Sequence, residues 1–288
     1  SEARRQLILD FGRPEVVATI YDVLDHLLSQ HAIDFVKWDM NRNVSEPGSA
    51  AGQAIWRQHT EAVYSIMDRL RRKHPHLSIE SCSGGGGRID LGILARTDQF
   101  WTSDNTDAFD RIRIQEGCSL AYPAMAMEAW VTDVPNLQTG LSSPLSLRFD
   151  VAMRGALGIG ANLNHLSQVE LDECARFIAF YKRIRHIVQQ GDLYRLQRLE
   201  ECGASVVQYA LPDRREAVYS VAVCDHQVDQ FRPPAPLKGL NPSATYIALD
   251  RHGQEVYRAS GFELMTQGIL GESGKGVGYS RTLHLVQV

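Results

Sequence analysis

Residues 33–39, IDFVKWD, form an apolar run that ends in a cation, an indole and a carboxylate. The length of the run and its Ile, Phe and Val content predict a β-strand. A polar loop rich in Asn, Ser, Gly and Pro follows at 41–52, and then Val63, Ile66, Met67 and Leu70 recur at helical spacing. LSIESC (77–82) and QFWTS (99–103) predict further strands. Upstream, LILDF (7–11) reads as a short buried strand, and Pro14 opens a helix carrying Val16, Val17, Ile20, Leu24, Leu27 and Leu28. Strands alternating with helices in this way imply parallel pairing.

Apolar stretches near 118–122 and at 155–161 (GALGIGA) predict two more strands. Within 165–190, Ser167 and Glu170 have capping-box spacing ahead of a helix with Leu171, Cys174, Ile178 and Tyr181 on one face. Beyond it the period changes to short alternating segments at 204–211, 216–224, 245–249, 254–258 and 282–288, separated by Pro, Gly, Asn and Asp, with PPAP (233–236) as an extended loop. A small antiparallel β domain therefore begins near residue 193.

The 288 residues are 44% hydrophobic and 22% charged, which excludes disordered, collagenous and coiled-coil chains. No window holds the roughly 18 consecutive apolar residues of a membrane helix. The net charge of −4, without a basic run, gives nucleic acid or an anionic membrane no electrostatic footprint, so a small or neutral ligand is expected. Five widely spaced cysteines with no CxxC pair argue against a disulfide framework or a structural zinc site, and reduced thiols fit a cytoplasmic setting.

Three clusters fall where strands end: KWDMNR (37–42), SCSGGGGR (81–88) and WTSDNTD (101–107). In a (β/α) barrel the loops after strand C-termini make one rim, so all three would converge on one pocket. Lys37 and Asn41 lie two residues either side of Asp39, on its side of an extended strand, and Lys37 is the cation expected beside it. A Lys-x-Asp on its own is an ordinary surface ion pair. The four glycines at 84–87 lack the Lys-Ser/Thr ending of a phosphate loop and the spacing of a dinucleotide fingerprint, which disfavours a nucleotide. A backbone without Cβ atoms would instead let a sugar ring approach, with Cys82 as a small wall, although the stretch also reads as a plain glycine turn. Trp101 offers a face for a sugar, and Asp104 and Asp107 are the acids available opposite Asp39, one of which could equally cap a helix. Two carboxylates from different strand ends, an aromatic platform and no metal-ligand set point to glycoside hydrolysis, with retention if the carboxylates stand about 5–5.5 Å apart.

At these motifs the chain resembles the α-galactosidases of glycoside hydrolase family 36, in the clan that includes the melibiases. The strings that carry the resemblance are RRQLILDF (4–11), VKWDMNRNVSE (36–46), ESCSGGGGRID (80–90), WTSDNTDAFDRIRIQ (101–115) and VTDVPNLQTG (131–140). The resemblance implies Asp39 as the nucleophile and Asp104 as the general acid/base. It places Arg4, Lys37, Trp38, Asn41, Cys82, Gly84 and Trp101 around the galactose, with Arg88 and Asp107 behind them. It implies α-galactosides such as melibiose and raffinose as substrates, no cofactor, and a homo-oligomeric full-length enzyme. Family members are much longer, so the chain reads as the later part of such an enzyme. The fold expected is α/β: a (β/α)8 TIM-type barrel, N-terminally incomplete in this chain, over 1–192, then a small antiparallel β-sandwich domain over 193–288. Trp130 stands where many relatives have histidine. An α-N-acetylgalactosaminidase or galactosyl transglycosylase of the same fold, or a non-catalytic carbohydrate-binding fragment, are the alternative readings.

Overall fold

The computed structural model describes residues 5–45, 55–224, 235–270 and 276–288. The chain divides into two compact units, Ser1–Asp104 and Asn105–Val288.

The first unit contains α1 (Pro14–Gln30), β1 (Phe35–Asp39), α2 (Ile55–Lys73), β2 (Ser78–Cys82), the single turn α3 (Leu91–Leu94) and β3 (Gln99–Trp101). Proline at the first position starts α1, where the missing N–H costs no hydrogen bond. β1 pairs with β2 and β2 with β3, all parallel, as alternation with helices requires. Val63, Ile66, Met67 and Leu70 of α2 are buried together with Leu28 of α1 and Ile79 of β2, with Val36 and Trp38 of β1 packed against them. Each fully buried aliphatic side chain here stabilises the unit by roughly 1.5–3 kcal/mol. Residues 7–11, expected as a strand, form none: the segment finds no ladder partner among the described residues, and Leu7 and Leu9 are exposed. An extended segment becomes a strand only when a neighbour takes up its N–H and C=O groups.

The second unit opens with α4 (Ala108–Cys118), followed by β4 (Met127–Val131), α5 (Leu145–Ala152), β5 (Ala156–Ile159) and α6 (Gln168–Gln190). β4 and β5 pair in parallel. The strand expected at 118–122 is instead the end of α4 and a turn, and the strand comes later, at Met127–Val131. Trp130 accounts for two glycines opposite it: a Cβ on Gly158 would meet its indole at 2.5 Å and one on Gly160 would do the same. The capping box of Ser167 and Glu170 starts α6 as its spacing predicts.

The remaining elements are β6 (Asp192–Gln197), α7 (Leu199–Cys202), β7 (Ala204–Ala210), β8 (Glu216–Val223), β9 (Thr245–Leu249), β10 (Glu255–Ser260), α8 (Gly261–Gln267) and β11 (Ser280–Gln287). They build one antiparallel sheet in the order β10-β9-β11-β8-β7-β6. Alternation sends Val207, Tyr209 and Val218 into a core shared with Phe177, Phe180 and Ile184 of α6, and sends Val206, Tyr219 and Val221 into a second core with Leu237, Leu264 and Ile269. Both faces are thus covered, one by α6 and the other by the segment around α8, and among the described residues this domain has a single sheet where a two-sheet sandwich was expected. Residues 233 and 234 of PPAP lie outside the described residues.

Candidate active site

The register Lys37↔Glu80 and Asp39↔Cys82 across β1 and β2, and Glu80↔Gln99 across β2 and β3, puts Lys37, Asp39, Glu80, Cys82 and Trp101 on one face of the three-stranded ladder. The period of two is what gathers them. The same period turns Trp38, expected around the sugar, to the opposite face, where its indole packs against the α1 and α2 core. Arg4 lies outside the described residues.

Asp39 ends β1 and is exposed. Asn41 donates from Nδ2 to Asp39 Oδ2, while its Oδ1 accepts from the Gly84 N–H at 2.8 Å. One amide therefore ties the carboxylate to the glycine loop. The Cys82 thiol, buried at 3% exposure, is pushed up by burial and by its hydrogen bond to Asp39, so it stays protonated and acts as a donor. Lys37, expected to pair with Asp39, holds Glu80 instead: its Nζ stands 2.8 Å from Glu80 Oε1 and 4.4 Å above the Trp101 ring. The pairing follows from the register, because Glu80 is directly beside Lys37 on the neighbouring strand.

Two of the loop glycines are required by the backbone itself. A Cβ on Gly84 would touch only Asn41 Oδ1, at 3.9 Å, and its φ of +55° is what calls for glycine. Gly85 is the closer approach: a Cβ there would lie 2.9 Å from Ser103 Cα and 3.2 Å from the Asp104 nitrogen, at φ +87°. The loop thus packs backbone to backbone on the segment that carries Asp104. Gly85→Ala is expected to destabilise the first unit by about 1–3 kcal/mol and to drive that segment away. Thermal melts of the variant check this, and a loss below about 0.5 kcal/mol would count against the packing role.

Asp104 is exposed, and Trp101 donates its indole N–H to Asp104 Oδ1 at 3.0 Å. Trp101 itself is buried at the end of β3. Arg88 lies behind the site. Its Nη2 donates to the carbonyls of Trp38 (2.7 Å) and Cys82 (3.2 Å), and its Nε to Ser81 Oγ (3.2 Å), so it ties the ends of β1 and β2 together. Burial pulls its guanidinium below the ordinary value. Asp107 belongs to the second unit, where its Oδ1 caps α4 by accepting from the N–H groups of Phe109 and Asp110, and its Oδ2 accepts from Thr139 Oγ1 at 3.0 Å. It is the acid that caps.

The family model described as Melibiase matches residues 1–191, and that of the glycosyl hydrolase family 36 C-terminal domain matches 204–285. Alpha-galactosidase AgaA of Geobacillus stearothermophilus is 38% identical over 278 residues, which is 93% of this chain and 37% of that protein. Alpha-galactosidase Mel36A of Lactobacillus acidophilus is 36% identical over 274 residues, 92% of this chain and 36% of its own length. The chain thus spans a little over a third of these relatives. The crystal structure of AgaA superposes with a TM-score of 0.92 at 36% identity, covering 100% of this chain and 40% of that one. A variant of AgaA crystallised with raffinose gives 0.90 at 35% identity with the same coverage. Two family models that match residues 1–191 and 204–285, with strand ends that carry an Asp39, Cys82 and Asp104 constellation, lead to one statement: the chain belongs to the melibiases of glycoside hydrolase family 36.

Proposed function

We propose that this chain carries the catalytic carboxylates of a retaining α-galactosidase that removes terminal α-linked galactose from oligosaccharides of the raffinose type. The observation that carries the reading is the pair of carboxylates at the ends of β1 and β3, two strands of one ladder, each held by a different kind of donor: Asp39 by an amide and a thiol, Asp104 by an indole. AgaA variants have been crystallised with raffinose and with stachyose, which supports this substrate class.

In the proposed reaction an Asp39 oxygen attacks the anomeric carbon as the glycosidic C–O bond breaks, and Asp104 gives its proton to the departing oxygen. Asn41 and Cys82 fix the attacking carboxylate, so little motion is needed at the moment of attack. Water then takes the galactosyl group from the ester. Asp104, now a carboxylate, accepts the water's proton, Asp39 leaves as carboxylate, and the anomeric configuration is restored.

A 2-deoxy-2-fluoro-α-galactosyl donor with an activated leaving group tests this, because it slows release of the ester more than its formation. The expected result is one galactosyl adduct, mapped to Asp39 by peptide mass spectrometry and missing from Asp39→Ala. An adduct on another residue, or none on folded chain, overturns the reading.

A further inference from the structure

Glu80 is a carboxylate in the middle of a buried strand, 1% exposed, and the catalytic sequence above makes no use of it. Burying a charge is costly unless it is paired. The pair here is Lys37, at 2.8 Å, and apart from that ion pair Oε1 has no hydrogen-bond partner among the described residues. The ammonium so held sits 4.4 Å over the Trp101 ring, within the range of a cation–π contact, and the same indole gives its N–H to Asp104 at 3.0 Å. Glu80, Lys37, Trp101 and Asp104 therefore form an unbroken chain across three neighbouring strands.

We propose that Glu80 is a positioning residue: its buried carboxylate seats Lys37 on the indole of Trp101, and the indole so fixed holds Asp104 in the orientation that serves the leaving oxygen. This rests on the role proposed for Asp104 above. The charge is what matters, since a neutral amide in its place would forgo the Coulomb attraction between two opposite unit charges at 2.8 Å. Glu80→Gln keeps the shape and removes the charge.

Two readouts separate this role from a merely structural one. The first needs no turnover. In ¹⁵N-tryptophan-labelled chain, with Trp101 assigned through Trp101→Phe, Glu80→Gln shifts the Trp101 indole N–H signal and speeds its exchange with solvent, while the Trp38 and Trp56 signals stay in place. The second is kcat/KM on two substrates. Raffinose, whose leaving alcohol needs the proton of Asp104, falls by roughly tenfold or more, whereas a 2,4-dinitrophenyl α-galactoside, whose leaving group does not, falls much less. Glu80→Asp, which keeps the charge one methylene back, moves both readouts less than Gln does, and it takes over the measurement if Glu80→Gln does not fold.

An unmoved Trp101 signal in folded Glu80 variants overturns the proposal, as does an equal loss on both substrates. If the wild-type chain turns over neither substrate, the functional reading fails for this chain, and the indole signal alone decides the role of Glu80.

Discussion

Asp39→Ala is expected to lower raffinose hydrolysis by on the order of 10⁴-fold or more, because both halves of the proposed double displacement run through its ester. Asp39 is exposed and ends a strand, so the substitution leaves the core of the first unit intact and the loss reads as chemistry. Asp104→Ala is expected to cost about 10²–10⁴-fold on raffinose and far less on a 2,4-dinitrophenyl galactoside, the usual scale of a lost general acid. Azide tells the two acids apart by stereochemistry. Without Asp39 the small anion fits the vacated β face and yields the β-galactosyl azide. Without Asp104 the ester still forms, and azide attacks it from the α face to give the α-galactosyl azide. The same anomer from both variants, or an Asp39→Ala chain within tenfold of wild type, would reverse the assignment.

Arg154→Met is expected to destabilise the second unit by about 3–5 kcal/mol, the range for breaking a buried charged network by removing one member. Arg154 is 5% exposed. Its Nε donates to Ser220 Oγ at 3.0 Å, Nη1 to Ser205 Oγ at 3.0 Å and Nη2 to the Ser205 carbonyl at 3.2 Å, which joins the turn after α5 to β7 and β8. Its own carbonyl accepts from Tyr209, whose hydroxyl burial pushes up to about 12. Burial pulls the guanidinium down, and it pushes the Asp150 carboxyl up against the hydrogen bonds it accepts and the pull of Arg154. Methionine fills the space but leaves the Ser205 and Ser220 hydroxyls without this donor and Asp150 with Arg251 but without Arg154. Set against a total stability of about 5–15 kcal/mol for a typical domain, this is a large fraction. Urea unfolding monitored by hydrogen exchange at the β7 and β8 amides measures it, and a loss below about 1 kcal/mol would show that the network holds little.

Much of this fold could be read locally. Pro14 starts α1, Ser167 and Glu170 start α6, and the faces of α2 and α6 follow from residue spacing. Such signals depend on one turn of backbone, so they survive any tertiary context. β4 was hidden because Glu128 interrupts its apolar run, and the strand exists through its pairing with β5, where Glu128 lies opposite Ala156. LILDF has strand composition but no partner among the described residues to make it one.

By itself the sequence determined the chemical inventory: three polar clusters at strand ends, two acids suited to acting on a glycoside, and the motifs of a melibiase. Only the tertiary structure decided which groups meet. It gave Lys37 to Glu80 rather than to Asp39, turned Trp38 into the core, made Asp107 a helix cap, and set Gly85 against the backbone before Asp104. Local rules say which residues can ionise, stack or cap. The register between strands that are distant in sequence says which of them stand side by side, and one residue of slip would have changed every partner.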